Sequence, residues 1–429
     1  MDRKLLLNPE HAAELDRNNQ LAGFRKRFYI PEGKIYMDGN SLGLLSADAE
    51  QSLLRVLDEW KHLAIDGWLN GERPWFWFAE QIGAMAAELV GAKPEEVVLT
   101  GTTTVNIHAL VSSFYEPKGE KNKILADELN FPSDIYALQG QLKLKGFDAA
   151  ENLILINAQE NGLISEDEII ARMQPDVALV FLPSVLYRSG QLLDMEKIAA
   201  AGCERNIPVG FDCSHSVGAI PHYFDDWGVD FALWCSYKYL NGGPGCAAFL
   251  YVNEKHFSKE PMLAGWFGCD KEKQFDMLNT FIPSQTAGRW QISSSGILGT
   301  SPIEGAMRMM LEAGIVNIRR QSLLLTDYLV ALLKERILDV FDDFRIITPL
   351  QHKSRGGHIA LEHPEALRIS QALRSRGIVP DFRPPNIIRL APVALYNTYT
   401  EVYEVVEILS EIMQYREYEK FPSKRKAIS

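Results

Sequence analysis

The sequence predicts an α/β fold, with a large domain on a mostly parallel, doubly wound sheet and a smaller α+β domain after it. Three observations carry that expectation. From about Pro94 to Tyr251, short apolar runs alternate with segments of helical spacing, as a doubly wound sheet requires. Several runs are apolar almost throughout, which marks strands buried on both faces. The chain has 429 residues, 46% of them hydrophobic, so it can bury a large core and is long enough for two domains.

The strand candidates of the large domain are Val97–Thr100, Lys123–Ala126, Val177–Phe181, Ile207–Phe211 and Val229–Trp234. From Ser301 to Arg336 apolar residues recur at helical spacing, among them Ala306, Met309, Met310, Ala313, Leu324, Tyr328 and Leu332, so one long helical segment should lead out of it. Beyond it, strands at Phe344–Thr348, His358–Leu361 and Ile387–Leu390 alternate with helices at Pro364–Ser375 and Thr400–Tyr415, a pattern that suggests a small α+β domain. The expected boundaries are 63–310 for the large domain and 311–429 for the small one.

Composition narrows the function classes. With 44 basic and 56 acidic residues the net charge is −12, and no basic patch is interleaved with aromatics, which argues against nucleic acid or an anionic membrane as partner. No apolar run approaches a membrane span of roughly 20 residues, and the amino terminus has no signal-peptide core, so the chain reads as cytoplasmic. Its five cysteines lack CxxC or zinc-type spacing, and no metal site is expected. P-loop, HExxH and GxGxxG motifs are also missing.

The strongest chemical signal is Gly210-Phe211-Asp212, followed 26 residues on by Lys238 in Cys235-Ser236-Tyr237-Lys238-Tyr239-Leu240-Asn241. An isolated Asp after a strand is usually a turn former, and an isolated Lys a solvated surface group. Here both stand at the carboxyl ends of buried parallel strands, where such sheets gather their ligands. Together they are what pyridoxal phosphate asks of a protein. The carboxylate keeps the pyridinium nitrogen protonated, and the amine holds the aldehyde as a Schiff base.

That cofactor's other needs point to further residues. Its phosphate wants backbone amides and hydroxyls at a helix start, which Gly101-Thr102-Thr103-Thr104 supplies after a strand. Phe131 is a candidate to stack on the ring, although most Phe residues are simply core. Arg389, at the end of Ile387-Ile388-Arg389, offers a guanidinium fork for a substrate carboxylate, where an ordinary Arg would be a surface group.

A wider set of segments carries a resemblance. Asp38-Gly39-Asn40-Ser41-Leu42-Gly43-Leu44, Arg73-Pro74-Trp75, Thr104-Val105-Asn106-Ile107-His108, Phe131-Pro132-Ser133-Asp134, Asp226-Trp227-Gly228-Val229-Asp230-Phe231, the Lys238 segment, Gly265-Trp266-Phe267-Gly268 and Arg389-Leu390-Ala391-Pro392 stand in the order found in kynureninases. The chain resembles that family over almost its whole length. The resemblance implies a fold-type I pyridoxal phosphate enzyme, a homodimer with its active sites at the interface, and an N-terminal segment, 1–62, that packs with the small domain. It implies hydrolysis of L-kynurenine or 3-hydroxy-L-kynurenine to anthranilate or 3-hydroxyanthranilate plus L-alanine, within tryptophan catabolism and the kynurenine route toward NAD.

By matching position, the resemblance makes Lys238 the Schiff-base lysine and Asp212 the partner of the pyridinium nitrogen. Thr103, Thr104, Tyr237 and Trp266 would help hold the cofactor, with Trp266 reaching in from the partner subunit. Phe131 and Asp134 would lie against the ring with His215 nearby, and Ser294 would stand where the family carries an amide. Arg389 would bind the α-carboxylate, and Ser41 and Trp68 would line the aryl pocket. Tyr237 is the candidate proton donor, with a purely structural phosphate ligand as its alternative role.

The chain departs from the family pattern at Cys269, Ser294 and Pro183, where His, Asn and Ser are commoner, which puts cofactor affinity and substrate choice in question. The indole of Trp68 favours an unhydroxylated ring. Three alternatives share Asp212 and Lys238. A class V aminotransferase fits fewer of the motifs. A cysteine desulfurase needs a nucleophilic Cys in its C-terminal part, and none follows Cys269. A non-catalytic binding protein on this scaffold would not need Lys238, Asp212 and Arg389 together.

Overall fold

The computed structural model describes residues 3–424. Met1 and Asp2, where the amino-terminal reading begins, and residues 425–429 lie outside that range. The first strand, β1 (Ile35–Tyr36), belongs to no large sheet and pairs in parallel with β11 (Ile378–Val379), far along the chain. The central sheet has seven strands: β2 (Val97–Thr100), β3 (Lys123–Asp127), β4 (Leu153–Ile156), β5 (Val177–Pro183), β6 (Val209–Asp212), β7 (Phe231–Trp234) and β8 (Ala248–Val252). Their order across the sheet is β2-β8-β7-β6-β5-β3-β4. Only β8 runs antiparallel to its neighbours, so the expectation of a mostly parallel sheet holds.

Burial explains why this sheet could be read from sequence. Every residue of β2, β5, β6, β7 and β8 is buried, because helices cover both faces. One apolar layer includes Phe78, Ile82, Leu99, Val180, Phe211, Met307 and Met310. The other includes Ile107, Leu110, Phe114, Leu138, Phe181, Phe231 and Trp290. Strands β4, a half-exposed edge, and β8 were not among the expected strands.

The long C-terminal helical segment is two helices, Pro302–Ala313 and Ile315–Leu333. Gly314 breaks it with φ +75°, a backbone conformation that a β-carbon disfavours. After it, β9 (Arg345–Ile346), β10 (Ile359–Glu362), β12 (Asp381–Arg383) and β13 (Ile387–Leu390) form an antiparallel sheet in the order β12-β13-β10-β9. Helices Ala366–Ser375 and Tyr399–Gln414 pack on it around Leu329, Leu361, Ile369, Val402, Val406 and Leu409.

The N-terminal segment touches both halves. Leu6, Ala12 and Met37 join the C-terminal cluster, whereas Leu21, Phe28 and Leu44 join the central one. Asp16 accepts hydrogen bonds from the amides of Tyr399 (2.6 Å) and Thr400 (3.1 Å), tying helix Pro9–Arg17 to the start of helix Tyr399–Gln414.

Candidate active site

A cavity of about 330 Å³ opens at the carboxyl ends of β5 and β6, where ligands of such sheets bind. In-register pairing sets Asp212 beside Pro183 on one side and Leu233 on the other. Asp212 is buried, and one of its carboxylate oxygens accepts from the Ser214 amide at 2.7 Å. The loop that follows β7 carries Tyr237 and Lys238 into the same cavity.

Lys238 Nζ lies 3.0 Å from His215 Nε2. With the lysine amine as donor, His215 Nε2 accepts and its ring proton sits on Nδ1. Burial, then the adjacent Lys238, push His215 well below the usual histidine range, so its imidazole is neutral. Across the cavity, Asp134 on helix Pro132–Leu144 is buried, and burial followed by the Asp212 carboxylate pushes it well above the usual carboxylate range. Asp134 therefore holds a proton. Burial, followed by Cys235, also raises the Tyr237 phenol, which stays protonated and able to donate.

Thr103 and Thr104 open helix Thr103–Phe114 directly after β2, so hydroxyls and free helix-start amides face the cavity together. Phe131 is 44% exposed there, its ring edge-on to Tyr187 at 5.3 Å. The motif around Ser41 reaches the site because the N-terminal segment runs behind the lysine loop, with the Gly43 amide donating to the Tyr237 carbonyl at 2.7 Å. A β-carbon at Gly43 would stand 2.4 Å from the Lys238 carbonyl oxygen, so only glycine permits this approach.

Arg389 is fully buried just behind the cavity wall. It pairs with Asp381, its register partner on the neighbouring strand, and donates to the Tyr187 carbonyl (2.6 Å) and to Ser41 Oγ (3.1 Å). The guanidinium on the wall itself is Arg383, which donates to Ser41 Oγ at 3.2 Å and to Asp381 at 3.0 Å. Sequence reasoning missed Arg383 and Asp381. Their signal is faint: strand register sets Asp381 against Arg389 and Arg383 against Ile387, which the sequence does not announce.

Three expected residues lie elsewhere within one chain. Trp68 packs edge-on to Trp75 (5.9 Å) and near Phe267 (6.1 Å). Trp266 is half exposed against Phe275, and Ser294 lines a separate hollow with Thr102, Val105 and Gly245. Among the described residues no group of His, Cys, Asp and Glu could hold a metal ion.

This fold is shared with solved structures of pyridoxal phosphate enzymes. A cysteine desulfurase from Thermococcus onnurineus aligns with a TM-score of 0.75 at 18% identity, covering 91% of this chain and 98% of that one. A C-DES mutant with glycine covalently linked to its pyridoxal phosphate aligns at 0.78 and 16%, covering 90% and 99%. The architecture is that of the fold-type I pyridoxal phosphate enzymes. Residues 318–409 match the family model of the kynureninase C-terminal domain, and the kynureninase of Geobacillus thermodenitrificans is 54% identical over 420 residues, 98% of each chain. The chain belongs to the kynureninase family.

Proposed function

We propose that this protein hydrolyses L-kynurenine to anthranilate and L-alanine with pyridoxal phosphate in the cavity between Asp212 and Lys238. The observation that carries the reading is a buried carboxylate, a lysine amine, helix-start hydroxyls and Arg383 around one cavity, with Arg389 just behind its wall, in a kynureninase-family chain. The donor set fits the cofactor: Asp212 for the ring nitrogen, Lys238 for the aldehyde carbon, Thr103 and Thr104 for the phosphate, and Phe131 for the ring face. When bound, the cofactor supplies an electron sink for the substrate Cα.

Each remaining step falls to side chains of the protein. Arg389 and Arg383 bind the α-carboxylate, with Ser41 holding both guanidinium groups in place. Lys238 Nζ removes the Cα proton and returns it later, and His215 Nε2 orients that amine. Water adds to the γ-carbonyl, the Cβ–Cγ bond breaks, the aryl group leaves as the carboxylate, and Tyr237 donates a proton at Cβ.

We further propose a homodimer in the cytoplasm, with a large domain over 63–310, a small domain over 311–429, and residues 1–62 completing the small domain. An apolar surface around Trp266 (47% exposed), Phe275 (69%) and Met277 (67%) supports the dimer, because monomers seldom leave such a patch open. A partner covering it would bring Trp266 toward a cavity that its own chain keeps it from. Among the described residues no helix is long and apolar enough to cross a membrane.

The test is anthranilate fluorescence from purified protein with pyridoxal phosphate and L-kynurenine, beside an absorbance assay with 3-hydroxy-L-kynurenine. Turnover of L-kynurenine, lost in Lys238→Ala, is expected. Inertness toward both substrates in a protein that binds the cofactor would overturn the proposal.

A further inference from the structure

Lys271 lies where a lysine is seldom found. Its side chain is only 16% exposed, and its ammonium stands over two aromatic faces at once, 4.4 Å from the Phe76 ring centre and 4.5 Å from that of Phe267. It also donates to the Phe76 carbonyl at 2.5 Å and pairs with Glu80 at 3.2 Å. The Gln291 side-chain amide holds Glu80 in turn, at 2.7 Å. One cation therefore ties the short turn Trp75–Trp77 and the first turn of helix Phe78–Val90 to the turn Trp266–Gly268.

The last of these turns carries Trp266. Glycines seat it against the chain that follows: a β-carbon on Gly265 would overlap the Ile292 carbonyl, and one on Gly268 the Arg289 carbonyl. From the cation the rings run outward in two directions. Phe267 packs near Trp68 (6.1 Å), while Phe76 packs near Phe275 (5.8 Å), which is edge-on to Trp266 (6.0 Å). Trp68 and Trp266, the two aromatic residues of the expected site that lie outside the cavity of their own chain, thus hang on one cluster. The two ring faces, the carbonyl and the carboxylate offset the cost of taking the ammonium out of water. A neutral side chain of similar length would fill the same space and grip neither turn.

We propose that Lys271 is a positioning residue for the active site of the partner subunit: it clamps the turn that carries Trp266, so that the indole is presented across the interface in one orientation. Lys271 touches neither substrate nor cofactor and acts through Phe76 and Phe267. The inference rests on the reading that Trp266 reaches in from the partner subunit.

The experiment compares Lys271→Met, which keeps the apolar stem without the charge, with Lys271→Arg, which keeps a cation over the rings. Lys271→Gln replaces the first if it does not fold. Each dimer is stripped of cofactor and titrated with pyridoxal phosphate, read by the aldimine absorbance that only chains with Lys238 give. Lys271→Met is expected to bind about tenfold more weakly, and Lys271→Arg like wild type. Mixed with an excess of Lys238→Ala and allowed to exchange subunits, Lys271→Met chains should bind like wild type, because each then faces an intact clamp on its partner. Trp266→Ala, run alongside, should lose and regain affinity in the same way. Wild-type binding by Lys271→Met, or a loss that mixing leaves in place while it restores Trp266→Ala, would overturn the clamp alone. A Trp266→Ala variant that binds like wild type would overturn the clamp together with the reading of Trp266. Inertness toward kynurenine would be a separate failure, since the titration reads cofactor binding and not turnover.

Discussion

Arg383 and Arg389 share one carboxylate, Asp381, and one hydroxyl, Ser41, yet their environments assign them different tests. Removing Arg389 takes away the fully buried partner of Asp381 and leaves it only the part-exposed Arg383, a change that costs stability by itself. Arg383→Ala leaves the buried pair intact, so it is the cleaner probe. It is expected to raise KM for kynurenine about tenfold, the worth of one charge-assisted contact, with Tm unchanged. Arg389→Lys should fail to restore binding, because an ammonium cannot span Asp381, Ser41 and the Tyr187 carbonyl as the planar fork does.

Asp127, at the end of β3, is buried, and that burial pushes its carboxyl up to about 7. A raised folded-state pKa means the native protein holds the proton more tightly than the unfolded chain. The stabilisation is complete below about pH 4 and is lost as pH climbs through about 7. Asp127→Asn should therefore flatten the pH dependence of stability in that window and raise Tm most at pH 8, measured by thermal melts of the cofactor-free protein.

One packed segment helps fix where the lysine loop sits. The N-terminal segment passes behind that loop, and Gly43→Ala would drive a methyl into the Lys238 carbonyl and the Asn241 Cα, which cannot yield as a side-chain tip could. A loss of about 1–3 kcal/mol in stability and weaker cofactor binding are expected, by denaturant titration and spectroscopic titration with pyridoxal phosphate. The elements also show what local patterning conveys. Most strands buried on both faces were legible as unbroken apolar runs, whereas the two-residue strands β1 and β11 carry too few residues to show a period.

At the scale of the whole molecule, the proposed sharing of the site between subunits makes a specific demand. Lys238→Ala and Trp266→Ala are each expected to be nearly inactive alone. Mixed and allowed to exchange subunits, they should regain activity, because one site of each heterodimer has both residues intact. Sedimentation should show twice the chain mass. No regain, with a monomer in sedimentation, would place Trp266 outside the active site.

The sequence by itself determined most of the sheet's buried strands, the Asp212–Lys238 pair and the helix-start hydroxyls, because each follows from a short local pattern and from the rule that places ligands at strand ends. Tertiary structure alone decided which guanidinium lines the cavity, that Ser41 meets Arg383 and Arg389 across more than 340 residues of chain, and that the His358 ring lies near His215. Those contacts come from strand register and from the docking of one half of the chain on the other, and residues so far apart leave no periodicity by which a sequence could announce them.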